Sequence, residues 1–138
     1  MNLFNYYWYF KSAIPGNICD DIVKYGNQLQ DQIAVTSGYG NKKLDKKQII
    51  DLKKKIHPYI HDANKNAGWN FNWDYSESCQ FTKYKKGQYY DWHCDSSEHP
   101  YNDKENSLKN RKIRKLSVTV TLSDSKEYKG GELEFDFR

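Results

Sequence analysis

The spacing of apolar residues changes near residue 70, and this change restricts the folds that are open to the chain. Before that point, apolar residues recur every three or four positions, which is typical of amphipathic helices. After it, apolar and polar residues alternate, as in a strand with one buried face. The clearest strand covers 114–122, where Leu116, Val118, Val120 and Leu122 share one face. Two helices followed by several such segments predict an α+β fold whose antiparallel sheet closes into a sandwich or barrel.

Two helices are predicted in the first half of the chain. Asn17 follows a Pro-Gly turn and is a candidate N-cap for a helix that runs to about Gln30. A second helix has apolar residues at 44, 49, 52, 56 and 60, with Pro58 as an expected interruption. The aromatic-rich segment 1–10 is expected to form a first strand. His57 and His61 are one helical turn apart, but no glutamate follows His57 as in the H-E-x-x-H zinc motif, so both are expected on the helix surface.

Length, charge and cysteine usage limit the class of protein. A chain of 138 residues is expected to form one domain, 1–138. Its 22 basic and 18 acidic residues are spread along the chain, and this pattern favours no nucleic-acid partner. Three cysteines without C-x-x-C spacing argue against a disulfide framework and a zinc ribbon. With no apolar segment long enough for a membrane and no basic leader, we expect a soluble, cytoplasmic protein.

His93 and Asp95 are candidate metal ligands. Side chains at positions i and i+2 of a strand project from the same face, so both can reach one ion. An imidazole and a carboxylate that leave several positions open are typical of non-haem Fe(II) sites. The alternative is a solvated or capping pair, because so short a motif is common by chance. Cys94 is expected to point to the opposite face as a packed thiol, and His99 to be a solvated loop residue.

Three blocks of residues around this pair carry a family resemblance. They are Tyr84-x-x-Gly87-Gln88-x-Tyr90-x-x-His93-x-Asp95, the segment 114–124, and Gly130-Gly131-Glu132-Leu133-x-Phe135. In this order and spacing, over about residues 71–137, the chain resembles the prolyl 4-hydroxylase-like branch of the 2-oxoglutarate- and Fe(II)-dependent dioxygenases. The resemblance implies a double-stranded β-helix core, jelly-roll or cupin-like, over about 70–138, with helical support over about 15–66.

Residue roles also follow from this resemblance. His93 and Asp95 correspond to two of the three iron ligands, Tyr84 and Thr121 to residues of the 2-oxoglutarate pocket, and Leu133 to its apolar wall. The implied cofactors are Fe(II), 2-oxoglutarate and O2, with ascorbate as a further candidate. The implied reaction hydroxylates a peptidyl residue, with proline expected, in a peptide or protein substrate, and releases succinate and CO2. The Gly-Gly pair is expected to form a tight turn that requires positive φ.

The chain departs from the family pattern in one respect. The family places a second histidine, and then a basic residue that pairs with 2-oxoglutarate, on a strand after the Gly-Gly-Glu turn, and neither occurs before Arg138. We therefore expect a β core that is incomplete at its C-terminal side, with little turnover by residues 1–138 alone. The alternative is a non-catalytic peptide-binding module with an aromatic groove near Tyr89, Tyr90 and Trp92. Specificity is expected in the loops 34–43 and 96–110, whereas substrate identity and oligomeric state are left open.

Overall fold

The computed structural model describes residues 2–29, 41–43 and 46–137. In chain order, its elements are a 3-10 turn at Leu3–Asn5, helix α1 at Gly16–Gln28, strand β1 at Asn41–Lys43, helix α2 at Lys46–Asn66 and strand β2 at Gln80–Thr82. Strands β1 and β2 pair antiparallel, with Lys42 opposite Phe81. Of the predicted loop 34–43, residues 34–40 lie outside the described residues, and the prediction is wrong for 41–43, which pair with β2 as strand β1.

Helix α1 contacts strand β2 through Gly26 and Phe81. It begins after Pro15, whose carbonyl accepts hydrogen bonds from the backbone N–H groups of Ile18 and Cys19 at 2.9 and 3.1 Å. The predicted cap, Asn17, therefore lies inside the first turn, and Pro15 occupies the N-cap position instead. Cys19 and Gly26 are the buried residues of α1, and Phe81 of β2 is 7% exposed. Because Gly26 has no side chain, the Phe81 ring can lie directly against the helix.

Helix α2 continues through Pro58 rather than stopping there. The Tyr59 hydroxyl donates a hydrogen bond of 2.7 Å to the carbonyl of Ala13, which ties α2 to the segment before α1. Asn64, 8% exposed, donates to the Phe71 carbonyl at 2.9 Å and accepts from the Phe71 N–H at 3.0 Å. This double hydrogen bond fixes the chain as it leaves α2, since both polar groups of one backbone residue are satisfied by one side chain.

The predicted extensive sheet is not formed within the described ranges. There, β1 and β2 are the only paired strands, and residues 3–10, 71–75, 114–122 and 133–137 carry none. The fold is therefore mixed, with two helices and little strand, and the double-stranded β-helix is not shown. Strand pairing requires a neighbouring chain on the hydrogen-bonding edge and cover for the apolar face. The apolar side chains of Val118, Leu133 and Phe135 are instead 50%, 66% and 51% exposed.

Aromatic side chains connect the two ends of the described chain. The rings of Tyr6 and Phe137 are 4.8 Å apart between centroids, and those of Tyr7 and Phe135 are stacked at 5.4 Å. The Trp69 indole N–H donates to the Phe4 carbonyl at 2.9 Å. We call the four rings of Tyr6, Tyr7, Phe135 and Phe137 the aromatic seam.

No helix in the described ranges has the length and apolar character needed to cross a membrane.

Candidate metal site

The structure brings the side chains of His93 and Asp95 together. His93 Nε2 lies 3.1 Å from Asp95 Oδ1, and His93 Nδ1 lies 2.7 Å from the Asp91 carbonyl oxygen. A carbonyl oxygen only accepts hydrogen bonds, so Nδ1 is the donor of this bond. Tyr90 packs on the imidazole with a centroid distance of 4.1 Å. The imidazole is thus held on one side by Asp91 and Tyr90 and presents Nε2 towards the carboxylate.

The distance between these two side chains is that of a direct hydrogen bond, and it also fits the spacing of two neighbouring metal ligands. Two donor atoms, each about 2.1 Å from a divalent ion and at right angles to one another, lie about 3.0 Å apart. The 3.1 Å between Nε2 and Oδ1 is close to that value. A hydrogen bond from the second imidazole nitrogen to a carbonyl is the usual support of a metal-binding histidine. Both side chains are about half exposed, at 45% and 47%, so an ion can reach them from solvent.

The described residues bring together two candidate ligands and no third. Within the described ranges, no group of three or more histidine, cysteine, aspartate or glutamate side chains is arranged to hold a metal ion. Cys94 is exposed, so the prediction of a packed thiol is wrong, because no strand forms there to direct it into a core. His99 is also exposed, as predicted. An imidazole, a carboxylate and several open positions remain compatible with a non-haem iron ligand set.

A half-buried ion pair holds the backbone at Asp95. Arg114 Nη1 donates to the Asp95 carbonyl at 2.8 Å. On its other side, Arg114 Nη2 donates to both carboxylate oxygens of Glu77 at 3.0 Å, and Nε donates to Oε1 at 3.3 Å. Ser96 Oγ in turn donates to the Arg114 carbonyl at 2.9 Å. Burial lowers the pKa of Arg114, but the hydrogen bonds and charge of Glu77 outweigh this and raise its pKa above the ordinary value.

Tyr101 connects the loop 96–110 to the same carboxylate. Its hydroxyl donates to Glu77 Oε1 at 3.0 Å, while its backbone pairs with Arg111 and Lys112 at 2.8 and 2.9 Å. Burial, followed by the hydrogen bond to Glu77, raises the pKa of Tyr101. Backbone pairing of Tyr101 with residues 111 and 112 therefore closes the loop 96–110, in which specificity was expected. Sequence analysis missed Glu77 and this role of Arg114, since spacing along one segment does not show which distant segment it contacts.

His57 and His61 belong to a separate cluster on α2. Both imidazoles pack on Trp73, at centroid distances of 5.0 and 4.8 Å, and His57 Nε2 lies 3.0 Å from Ser76 Oγ. Burial, then the positive charge of Lys53, then that of His61, lower the pKa of His57. His61 is exposed, whereas His57 is half-buried, so the predicted surface position holds for His61 only. These contacts join α2 to the segment before β2.

The predicted 2-oxoglutarate residues lie on three different segments. Tyr84 and Leu133 are 51% and 66% exposed, and Thr121 is also exposed. Their roles towards 2-oxoglutarate stay predictions. Gly130 and Gly131 have φ of 78° and 76°, so the predicted positive-φ turn before Leu133 is confirmed.

Comparison with known families gives one match, which lies in the second half of the chain. The family model of the 2OG-Fe(II) oxygenase superfamily matches residues 79–137, a range that includes His93, Asp95 and the three predicted 2-oxoglutarate residues. No curated protein and no solved structure matches the chain. The family match implies a jelly-roll-like domain that uses Fe(II), 2-oxoglutarate and O2. Over these residues, which are fewer than half of the chain, the match supports a 2OG-Fe(II) oxygenase superfamily domain and hence an oxidoreductase with dioxygenase-type function.

Proposed function

We propose that this chain is a prolyl 4-hydroxylase-like oxygenase domain in which His93 and Asp95 bind Fe(II). The observation that carries the proposal is the 3.1 Å approach of His93 Nε2 to Asp95 Oδ1, with Nδ1 fixed on the Asp91 carbonyl. The pair lies inside the range matched by the oxygenase family model. The proposed substrate is a peptide or protein, and the proposed product is a hydroxylated residue, with proline expected.

Each of the named residues has a separate task in this proposal. Iron held at the proposed site would supply the oxidative chemistry, with O2 as the oxidant: one oxygen atom would enter the succinate that is formed with CO2 from 2-oxoglutarate, and the other would enter the hydroxylated substrate. His93 and Asp95 hold the ion and leave other positions open. Tyr84 offers a hydroxyl and Thr121 a second hydroxyl to the carboxylates of 2-oxoglutarate, and Leu133 offers an apolar surface beside it.

Exposed aromatic rings beside His93 support a peptide substrate. Tyr89, Tyr90 and Trp92 are 69%, 47% and 64% exposed. Large aromatic side chains at a surface are enriched where proteins bind other chains, because they bury much area at low entropic cost. Tyr90 also contacts the imidazole, so a peptide that covers these rings would lie next to the proposed ion.

A second function is favoured by the same surface and by the ligand count. Within the described ranges the proposed site has two candidate ligands, and no group of three or more is arranged to hold a metal ion, which supports a non-catalytic peptide-binding module on an oxygenase fold as the alternative. Binding of 2-oxoglutarate separates the two functions. The oxygenase requires it to bind in the presence of Fe(II), whereas the binding module does not.

The test is metal binding by purified residues 1–138, with Mn(II) as an air-stable substitute for Fe(II). We expect His93→Ala and Asp95→Ala to weaken Mn(II) binding by at least about 10–100-fold, the range seen when even supporting residues of metal sites are lost. His99→Ala is the matched control, since this exposed histidine of the same region is outside the proposed site. Equal Mn(II) affinity of the wild type and His93→Ala would overturn the proposal. Succinate formation from 2-oxoglutarate, in the presence of Fe(II), O2 and a proline-containing peptide, is then measured for the same variants.

A further inference from the structure

We propose that Arg114 is a positioning residue that keeps the Asp95 carboxylate opposite His93, and that Glu77 is the anchor of Arg114. This inference rests on the proposed function of His93 and Asp95 as metal ligands. The three residues lie on separate segments of the chain, one before β2, one at the ligand pair and one after the loop 96–110. Their contacts join these segments at one point.

The two ligands are held in different ways. His93 is fixed locally, because its own Nδ1 donates to the Asp91 carbonyl two residues away. The backbone of Asp95 is held from a distance by Arg114 Nη1. Ser96 Oγ returns a hydrogen bond to the Arg114 carbonyl, so two contacts in opposite directions join residues 95–96 to residue 114. A backbone fixed in this way leaves only the two side-chain torsions of Asp95 to place its carboxylate.

Arg114 holds Asp95 without occupying its carboxylate. The 2.8 Å contact is made to the carbonyl oxygen, so the oxygens of the side chain stay available to an ion. The charge of the guanidinium is balanced by Glu77, which it contacts through both Nη2 and Nε. Such paired contacts fix the plane of the guanidinium as well as its position. A cation at Asp95 therefore faces an arginine that is already paired with a carboxylate.

Lysine cannot reproduce this arrangement. Glu77 and Asp95 take donors from opposite edges of one planar group, whereas a lysine ammonium is a compact charge on a flexible stem. The Arg114 and Glu77 side chains are 33% and 35% exposed, so solvent screens them only in part. Arg114→Lys preserves the charge and removes the fixed geometry, and Glu77→Gln preserves the shape and removes the charge of the anchor.

The experiment compares these variants with a neighbouring ion pair on the same segment. Lys112 Nζ lies 2.7 Å from Asp74 Oδ2 and makes no described contact with residues 93–96. We expect Arg114→Lys to weaken Mn(II) binding by about 10-fold and Glu77→Gln by several-fold, as for the outer partners of other metal sites. Lys112→Ala should bind Mn(II) within about twofold of the wild type, since exposed ion pairs contribute little. The visible spectrum of bound Co(II) is the second measurement. It should change in Arg114→Lys and stay like that of the wild type in Lys112→Ala.

The outcomes separate the positioning role from the metal site itself. If Arg114→Lys lowers the melting temperature but binds Mn(II) like the wild type, with an unchanged Co(II) spectrum, Arg114 is structural only and the inference is wrong. If Arg114→Lys does not fold, Glu77→Gln decides by the same two measurements. If the wild type binds neither ion, the proposed function fails and this inference fails with it.

Discussion

The contact between Gly26 and Phe81 makes a sharp prediction about stability. A Cβ placed on Gly26 would lie 2.5 Å from Phe81 Cε1 and 2.6 Å from both Cδ1 and Cζ. Carbon atoms pack best at about 3.5–4.0 Å. The substitution Gly26→Ala therefore forces the ring or the helix to move, and Phe81 is one of the two buried apolar side chains in the described ranges.

The expected magnitude is the difference of two opposing effects. Alanine is favoured over glycine inside a helix by about 1 kcal/mol. Overpacking a well-packed core costs about 1–3 kcal/mol, and three ring atoms below 3 Å place this site near the upper end. We expect Gly26→Ala to lower the free energy of unfolding by about 1–2 kcal/mol, which for a chain of this size is about 3–8 °C in melting temperature.

Urea unfolding followed by far-ultraviolet circular dichroism measures this change. Gly16→Ala is the matched control in the same helix, because a Cβ there meets nothing within 4 Å. Its stability should stay within about 0.5 kcal/mol of the wild type. In a Phe81→Leu background, where the ring is absent, Gly26→Ala should cost less by at least about 0.5 kcal/mol. The reasoning is refuted if Gly26→Ala costs the same in both backgrounds, or no more than Gly16→Ala.

Two further predictions concern the contacts of α2. Asn64→Asp should lower the free energy of unfolding by about 1–3 kcal/mol, because a carboxylate oxygen replaces the amide nitrogen that donates to the Phe71 carbonyl. Asn72→Asp, at an exposed position, is the control. Equal urea midpoints for the two variants would contradict the prediction. His57 has a lowered pKa in the folded protein, chiefly through burial, so its contribution to stability is complete above the unfolded pKa of 6.5 and is lost as pH falls through the lower folded value. Melting temperatures between about pH 5 and 8 should depend less on pH in His57→Gln, and an unchanged profile would argue against this role of His57.

Helices could be predicted from the sequence because their periodicity is local. Helix α1 at Gly16–Gln28 ends within two residues of the predicted Gln30, and α2 covers the predicted apolar positions from 49 to 60. The prediction of Asn17 as the N-cap of α1 was wrong, because the Pro15 carbonyl accepts the first hydrogen bonds from the backbone N–H groups of the helix. The strands could not be placed in this way. A strand such as that predicted at 114–122 depends on a partner elsewhere in the chain, and alternation shows only which side chains would share a face.

The candidate site shows the same division between local and distant contacts. His93 and Asp95 are two residues apart, so the sequence alone could predict that their side chains can reach one another, whereas the 3.1 Å approach also depends on the contacts that hold each of the two residues. The contact of Arg114 with Glu77 and with the Asp95 carbonyl joins segments that no spacing rule relates. The predicted orientation of Cys94 assumed a strand, and no strand forms at this residue, so its thiol is exposed.

The aromatic seam has a consequence for the order in which the protein folds. Tyr6 and Tyr7 meet Phe137 and Phe135 only after nearly the whole chain has closed into a loop. Loop closure costs entropy that grows with the length of the loop, so contacts between the ends form after the local helices. Interactions that form late act mainly on the unfolding rate. We therefore expect the seam to slow unfolding more than it speeds folding, so that Phe135→Leu should raise the unfolding rate and leave the folding rate nearly unchanged.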